Sequence, residues 1–544
     1  MASTSRSTWK HRSSQLSNSA TERVASGSMR SPLPSRIWTI CLALVAVLSA
    51  CSRTPSASSQ TAASIASTGS VANPASSAST AASTPLGLDY EKPAVVGANV
   101  HVTSANLPPG ATVDLTWGTV TGGWVVEDNY HFGGKKYAES TTKLGEFRVD
   151  SSGRLDARFT IPEDYGGVHE IVALIDGKAV AQNGIDVTQT FTLTPKSGPV
   201  GTPIEMKVTG LGWRTMESTW VVNWDNASLG WVSAAGTRGS AIARFRAAGP
   251  AGDHVIKLYT GWQGQGYLNY EQSPVANLPR PQFIFRTTAG GPAREAAYAE
   301  PYQPQAIPKT EVQVAGATLV LSPTQGPVGT RAMLRGEGFA PNTSLQLVWQ
   351  TSVGSRVSSS GFESQEKAIG QLNVGGDGRL ESPVTIPEDL GGLHALILRS
   401  GDRDVARAFF AIETSIVSIT PSAGPAGTAV TIHLKGVGWT EYDNIYVATY
   451  DNAYMGYVCG FNSQGDVIMN FTAAGQPGSH LIDLYPGIYQ GPASAPQQLY
   501  RLPQLTYADD HPGNKIPALR FTFEIPPSQG RRPSSVPPGP TGPS

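Results

Sequence analysis

Thr160-Ile-Pro-Glu-Asp-Tyr-Gly-Gly-Val-His169 returns as Thr385-Ile-Pro-Glu-Asp-Leu-Gly-Gly-Leu-His394, 225 residues later. Around it, Gly153-Arg-Leu155 returns as Gly378-Arg-Leu380 at the same offset. Thr194-Pro-Lys-Ser-Gly-Pro-Val-Gly-Thr202 returns as Thr420-Pro-Ser-Ala-Gly-Pro-Ala-Gly-Thr428, offset by 226. Gly212-Trp213 pairs with Gly438-Trp439, Asp225-Asn-Ala227 with Asp451-Asn-Ala453, and His254 with His480. Trp117 pairs with Trp349 at an offset of 232, so the first copy carries about seven extra residues after Trp117. That reads as a loop difference, not a fold difference. Self-similarity at a fixed offset is the signature of a duplicated architecture. The chain is a two-domain unit made twice, A1-B1 and then A2-B2.

The halves of each unit also resemble one another. Gly326-Pro-Val-Gly-Thr330 opens A2 and Gly424-Pro-Ala-Gly-Thr428 opens B2; Gly336-Glu-Gly-Phe339 and Gly436-Val-Gly-Trp439 follow. Four modules of about 100 residues result, A1 over 88–189, B1 over 190–287, A2 over 316–413 and B2 over 414–525. Residues 288–315 form a linker rich in Ala, Pro and Gln, expected to act as a hinge. Apolar runs such as His169-Glu-Ile-Val-Ala-Leu-Ile175 alternate with Gly, Pro, Asp and Asn every 8–12 residues, the spacing of a sandwich or barrel. No stretch of 12 residues keeps a clean 3.6-residue period. The expected fold is all-β: four tandem immunoglobulin-like β-sandwiches.

Pro-x-x-Gly-Pro-x-Gly-Thr, then a strand, then Gly-x-Gly-Phe/Trp, resembles the IPT/TIG class of immunoglobulin-like domains. The later Gly-x-Leu and Ile-Pro-Glu-Asp-x-Gly-Gly-x-His pattern resembles bacterial surface repeats of that class. The match covers A2 well, B1 and B2 fairly and A1 in part, since A1 opens on Val96-Gly97 without the Gly-Pro and Gly-x-Gly-Phe signatures. The resemblance implies adhesive modules, spacers or accessories to surface enzymes.

The N-terminal region carries an address. Ile37 to Leu48 is a 12-residue apolar run with Arg30 and Arg36 before it, the pattern of a secretory signal. Twelve helical residues span about 18 Å, short of a bilayer core of about 30 Å. The run ends in Leu48-Ser49-Ala50-Cys51, which resembles a bacterial lipobox; the resemblance implies cleavage after residue 50 and lipid attachment at Cys51. Residues 1–50 are then the lipoprotein signal peptide, with Met29 as an alternative start. Acyl chains hold such a protein on a membrane without a spanning helix. The expected location is a cell membrane, facing the extracellular side or periplasm. Residues 51–87 are a tether dominated by Ser, Ala, Thr, Pro and Gly, too poor in apolar surface to fold, and residues 526–544 are a Pro-rich disordered tail.

The whole chain has 544 residues and a net charge of −1; without residues 1–50 it has 34 basic and 40 acidic side chains, net −6. No basic surface points to nucleic acid. Cys459 is the third and last cysteine after Cys41 and Cys51, so the processed chain has no partner for an intrachain disulfide; a buried structural thiol is expected. The repeated Glu163-Asp164 and Glu388-Asp389 read as turns with exposed charges. His169, His254, His394 and His480 recur once per module, a structural pattern, since a metal site needs three or four ligands. Asp225-Asn226 and Asp451-Asn452 read as hairpin turns. No nucleophile elbow, Walker A loop, His-Glu-x-x-His or Cys-x-x-Cys is present. No catalytic residue, metal or cofactor is expected.

Aromatic residues are the best lead to a ligand. B1 holds five of the 11 tryptophans. Trp220, Trp224, Trp231, Trp262, Tyr267 and Tyr270 form the candidate ligand platform, weighed against filling the B1 core or a seam between domains. The sequence thus reads as a non-catalytic, membrane-anchored surface lipoprotein acting in adhesion, ligand binding or spacing. Its partners are the membrane, through the lipid anchor, and a glycan or envelope protein. The alternatives are a carbohydrate-binding accessory using B1 and, further off, an enzyme with an unrecognised site.

Overall fold

The computed structural model describes residues 84–127, 131–262, 265–273, 278–291, 296–355, 361–460, 463–488 and 501–527. B1 sets the pattern. Its smaller sheet runs in the order Ala241–Arg246, Pro203–Thr209, Thr190–Thr194. Its larger sheet runs Ser197–Pro199, Gln282–Thr288, Gly252–Trp262, Trp220–Trp224, Ala227–Val232. Both inner faces alternate with outward polar residues, as in Pro203–Thr209, and close over a core in each module, the B1 core continuing into Tyr485, Leu505, Tyr507 and Ala518 of B2. A1, A2 and B2 repeat the arrangement, each with a three-stranded sheet packed on a larger one. The chain is a set of immunoglobulin-like sandwiches. A1 has the same two sheets although it lacks the opening signatures, because its apolar alternation, as in Leu155–Thr160, is intact.

The Gly-Pro-x-Gly-Thr repeat has a specific geometry. The first strand of B1, A2 and B2 stops at a proline, which has no N–H for the ladder, and the chain crosses to the larger sheet. There Ser197–Pro199 runs parallel to Gln282–Thr288, and Gln325–Pro327 parallel to Arg403–Glu413. The turn that follows is closed by threonine. The hydroxyls of Thr202, Thr330 and Thr428 donate to the carbonyls of Pro199, Pro327 and Pro425 at 2.7, 2.6 and 2.7 Å. Gly201, Gly329 and Gly427 sit at φ of 85°, 79° and 94°, where a side chain is strained.

The Glu-Asp turn differs from expectation by half. Glu163 and Glu388 are exposed, but Asp164 and Asp389 are buried. Each accepts the indole N–H of the strand tryptophan beneath it, Trp117 at 2.9 Å and Trp349 at 2.7 Å. His169 and His394 stack on the same rings with centroids 4.2 and 4.6 Å away. In the B modules the histidine keeps its aromatic partner, Trp224 or Tyr450, and gains a carboxylate. His254 Nδ1 lies 2.5 Å from Asp225 and His480 Nδ1 2.6 Å from Asp451. Asp225-Asn226 and Asp451-Asn452 make the left-handed hairpin turns that put those carboxylates in place. Cys459, at the end of Ala453–Cys459, is half-buried rather than buried.

Segment 288–315, expected as a hinge, supplies two edge strands. Ala297–Ala299 pairs with Leu519–Ile525 of B2, and Glu311–Val312 pairs with Arg403–Glu413 of A2. The chain therefore leaves B1, completes a sheet edge of B2, and only then enters A2.

Candidate ligand cleft at the module junction

Within each unit the A module meets the B module through the repeated motifs themselves. The Gly166 N–H donates to the Leu211 carbonyl, and the Gly391 N–H to the Val437 carbonyl at 3.0 Å. A Cβ on Gly166 would stand 1.9 Å from the Gly210 oxygen, and one on Gly391 would stand 2.1 Å from the Gly436 oxygen. The Tyr165 hydroxyl crosses to the Ala235 carbonyl at 2.7 Å; burial holds it protonated, with its pKa pushed up to about 12. The glycine pairs that read as turns are seams between modules.

B1 and B2 are joined by buried charge. Arg246 donates to Asp483 at 2.5 and 3.2 Å and to the Phe521 carbonyl at 2.7 Å. Arg520 reaches the same Asp483 at 3.1 Å and Glu300 at 2.7 Å, and its guanidinium lies 4.6 Å from the Tyr485 ring centre. Asn452 Nδ2 donates to the Arg246 carbonyl at 2.7 Å. Two arginines and two carboxylates compensate one another, which buried charges require. The segment 502–510, ahead of the last strand of B2, lies along B1. The Trp231 N–H donates to the Pro503 carbonyl and the Leu505 N–H donates to the Trp231 carbonyl, each at 2.8 Å, and the Trp231 indole donates to the Leu502 carbonyl at 3.0 Å. Its four-residue helix Tyr507–Asp510 ends in a carboxylate that accepts from Ser233 Oγ, Ala235 N and Gly236 N at 2.5, 2.9 and 2.6 Å. Burial raises the Asp510 pKa while those donors hold it down.

The seven extra residues of A1 are not a loose loop. They lengthen a hairpin, Thr112–Glu127 and His131–Arg148, that reaches both B modules. Its Trp124 indole donates to the Asp510 carbonyl at 2.5 Å, and the Phe132 N–H donates to Glu441 of B2 at 2.7 Å. Phe132 packs with Trp231 and Ile488, with Trp124 and Leu502 against them. Lys135 donates to Ser218 of B1 at 2.6 Å, and burial lowers its pKa to about 8. Gly123 permits the approach, since a Cβ there would stand 3.0 Å from the Ala235 oxygen.

These contacts enclose a solvent-open cleft of about 1330 Å³, walled by the A1 hairpin, segment 305–308, A2, and the B2 segments around Trp439 and 511–515. Trp124 and Trp439 are half-buried on its walls, Leu393 is 40% exposed and Lys136 is exposed. Lys515 donates to the His511 carbonyl at 2.6 Å, and Asp443 accepts the Thr440 N–H at 2.7 Å.

The expected B1 platform is corrected. Trp220, Trp224 and Trp231 are 0%, 3% and 0% exposed, so none presents a ring face to a ligand. Trp220 and Trp224 share the inner face of their strand and fill the B1 core, while Trp231 fills the junction with A1 and B2. Tyr267 is half-buried and donates to the Gln272 carbonyl at 3.2 Å. The side chains of Trp262 and Tyr270 lie outside the described residues, as does Cys51. Sequence reasoning missed the cleft residues Trp124, Lys136 and Trp439 as a group. The signal present was the aromatic and glycine-rich Gly122-Gly-Trp-Val-Val inside the insertion unique to A1.

Among the described residues no cluster of His, Cys, Asp and Glu has the makings of a metal site, and no helix is long and apolar enough to cross a membrane. No family model matches the chain, and no curated protein matches it. Among solved structures it is similar to FdeC, a broadly conserved Escherichia coli adhesin, at 15% identity over 61% of this chain and 97% of that one, TM-score 0.14. It is similar to the ICAM-5 D1–D4 ectodomain fragment at 12% identity over 74% and 94%, TM-score 0.15. It is also similar to invasin, a bacterial integrin-binding protein, at 9% identity over 81% and 79%, TM-score 0.15. Likeness at this level leaves the functional reading to the residues of the chain itself.

Proposed function

We propose that this chain is a non-catalytic binding protein of adhesin type, anchored to a bacterial membrane by lipid at Cys51. Its modules would act as one head facing the extracellular side or periplasm, carried on a tether that ends before Thr84. The expected tether of residues 51–87 is shortened because Thr84–Pro85 pairs with Lys178–Val187 and Leu86 is buried in the A1 core. The observation that carries the reading is the way the modules are fixed to one another. A spacer gains reach from modules strung end to end. Here a hairpin of A1 is fastened to both B modules, and a buried pair, Arg246 with Asp483, fastens B1 to B2. Fixed orientation costs reach and creates a shared concave surface, which suits ligand presentation. The module histidines also argue against acid–base work, because both ring nitrogens of His169, His254 and His480 already face protein oxygens. A carbohydrate reading centred on the B1 tryptophans is not favoured, since three of those rings are inside.

The test has two arms on the full-length protein. Cells fed labelled palmitate should incorporate it into wild type and not into Cys51→Ser, which should appear in the soluble fraction. The detergent-solubilised wild type should bind at least one envelope component on an array of glycans and envelope polymers. A Cys51→Ser protein that keeps label defeats the anchor, and an array without any signal defeats the binding role.

A further inference from the structure

We infer that the cleft between A1, A2 and B2 is the ligand site and that it takes a short oligosaccharide bearing carboxylates, a uronate-type glycan. The inference rests on the reading of the chain as an envelope binding protein. Size is the first ground. Small-molecule pockets run to about 300–1000 Å³. A cleft of about 1330 Å³, open to solvent, suits several linked sugar rings better than one compact metabolite.

The second ground is the chemistry of the walls. Trp124 on the A1 hairpin and Trp439 on B2 are half-buried on the cleft lining, Trp124 packed against Phe132 and Trp231. The edge of the Trp124 ring is fixed by its hydrogen bond to Asp510, so its orientation is set before a ligand arrives. An indole face offers an apolar surface with a negative quadrupole, matched by the C–H face of a pyranose. Leu393, 40% exposed on the A2 wall, adds apolar contact. Gln305 and Asn514, both half-buried on the lining, bring amides of the kind that pair with sugar hydroxyls.

Charge is the third ground. The charged side chains on the lining are Lys136, Lys515 and Asp443. Asp443 is buried and its carboxylate takes the Thr440 N–H, while Lys515 stands beside the carboxylates of Asp509 and Asp510, so the charge offered to a ligand is that of Lys136. Lys136 is exposed and brings a mobile ammonium to the rim, where a carboxylate on a sugar would meet it. The processed chain as a whole is net −6, so this local cation stands out against the overall charge.

Calorimetry and tryptophan fluorescence on the full-length protein, with a polygalacturonate tetramer as probe and a cellotetraose control, test the proposal. The tetramer should bind saturably, at least tenfold tighter than cellotetraose. Trp439→Ala and Lys136→Ala should each weaken it at least tenfold. Lys136 is exposed, so Lys136→Ala should melt as wild type does and keep the test valid even where Trp439→Ala unfolds. Absence of saturable binding, equal affinity for the neutral tetramer, or full affinity in Lys136→Ala overturns the proposal. An envelope ligand on the array that Lys136→Ala still binds sinks this site while leaving the binding role standing.

Discussion

A1 and A2 are copies, yet among the described residues it is the A1 hairpin that docks on both B modules. Their sandwiches and their seams to the adjoining B module match closely. Gly166 meets Gly210 as Gly391 meets Gly436, and Asp164 holds Trp117 as Asp389 holds Trp349. The hairpins differ. In A1 it carries Gly122-Gly-Trp-Val-Val and Phe132 and docks on two modules; in A2 the corresponding Ser344–Ser355 strand continues into a serine-rich stretch, Ser358-Ser-Ser360. Duplication kept what each pair needs to fold and freed the hairpin to change. A few residues in one hairpin then bind separate sandwiches into a head with a cleft.

The largest expected effect lies outside both A–B seams. Asp483→Ala leaves Arg246 buried without its carboxylate and strips Arg520 of one of two. Removing one partner of a buried pair costs about 3–5 kcal/mol. The urea midpoint of the B modules should fall accordingly, and a midpoint within error of wild type would show that the B1–B2 contact is not stabilising.

The seams should break alike. Gly166→Ala and Gly391→Ala each drive a methyl into a backbone oxygen that cannot yield without moving a strand. Each should cost about 3 kcal/mol, at the upper end of overpacking. If one variant melts as wild type does while the other is crippled, the two seams are not equivalent. The hairpins should break differently. Trp124→Ala removes packing against Phe132 and Trp231 together with a hydrogen bond, for about 2–3 kcal/mol in a half-buried site. Val353→Ala on the A2 hairpin removes a residue already 38% exposed and should stay within about 0.5 kcal/mol. Calorimetry that found equal effects would erase the distinction between the hairpins.

Most of the fold was legible in the sequence, for a physical reason. Alternation, turn residues and repeat offsets are local, and Gly-Pro-x-Gly-Thr encodes its own turn through a threonine hydroxyl three residues from its acceptor. The candidate site was not legible, because it is made between modules. Trp224 and Trp231 lie on adjacent strands, yet one fills a core and the other a junction. Nothing in Trp220-Val-Val-Asn-Trp224 distinguishes an inner face from a ligand-facing one. The Glu-Asp turn was read half correctly, because the partner that buries Asp164 is a tryptophan 47 residues away. Segment 288–315 looked like a hinge by composition, although Ala297–Ala299 needs only backbone groups to complete a sheet edge.

The smallest effect separates A modules from B modules. His394 of A2 is held by the carbonyls of Gln350 and Leu390, whereas His480 of B2 is held by Asp451 and the Gln476 carbonyl. The hydrogen bond to the Asp451 carboxylate, helped by the Gln476 carbonyl, raises the His480 pKa above its ordinary 6.5 against the opposing effect of burial. A folded value above the unfolded one means the folded state holds the proton more tightly. The pair's contribution is therefore complete below about pH 6.5 and is lost as pH rises through the raised folded value. The site is partly open to solvent, which limits the contribution to about 1 kcal/mol or less. Asp451→Asn keeps the turn and the acceptor for Leu481 N but removes the charge. The stability gap between wild type and Asp451→Asn, measured by urea titration from pH 5 to 9, should be widest at the acid end and close at the alkaline end. A gap that stayed constant across that range would mean Asp451 acts through the turn alone, and the B-module histidine would then be no different from that of the A modules.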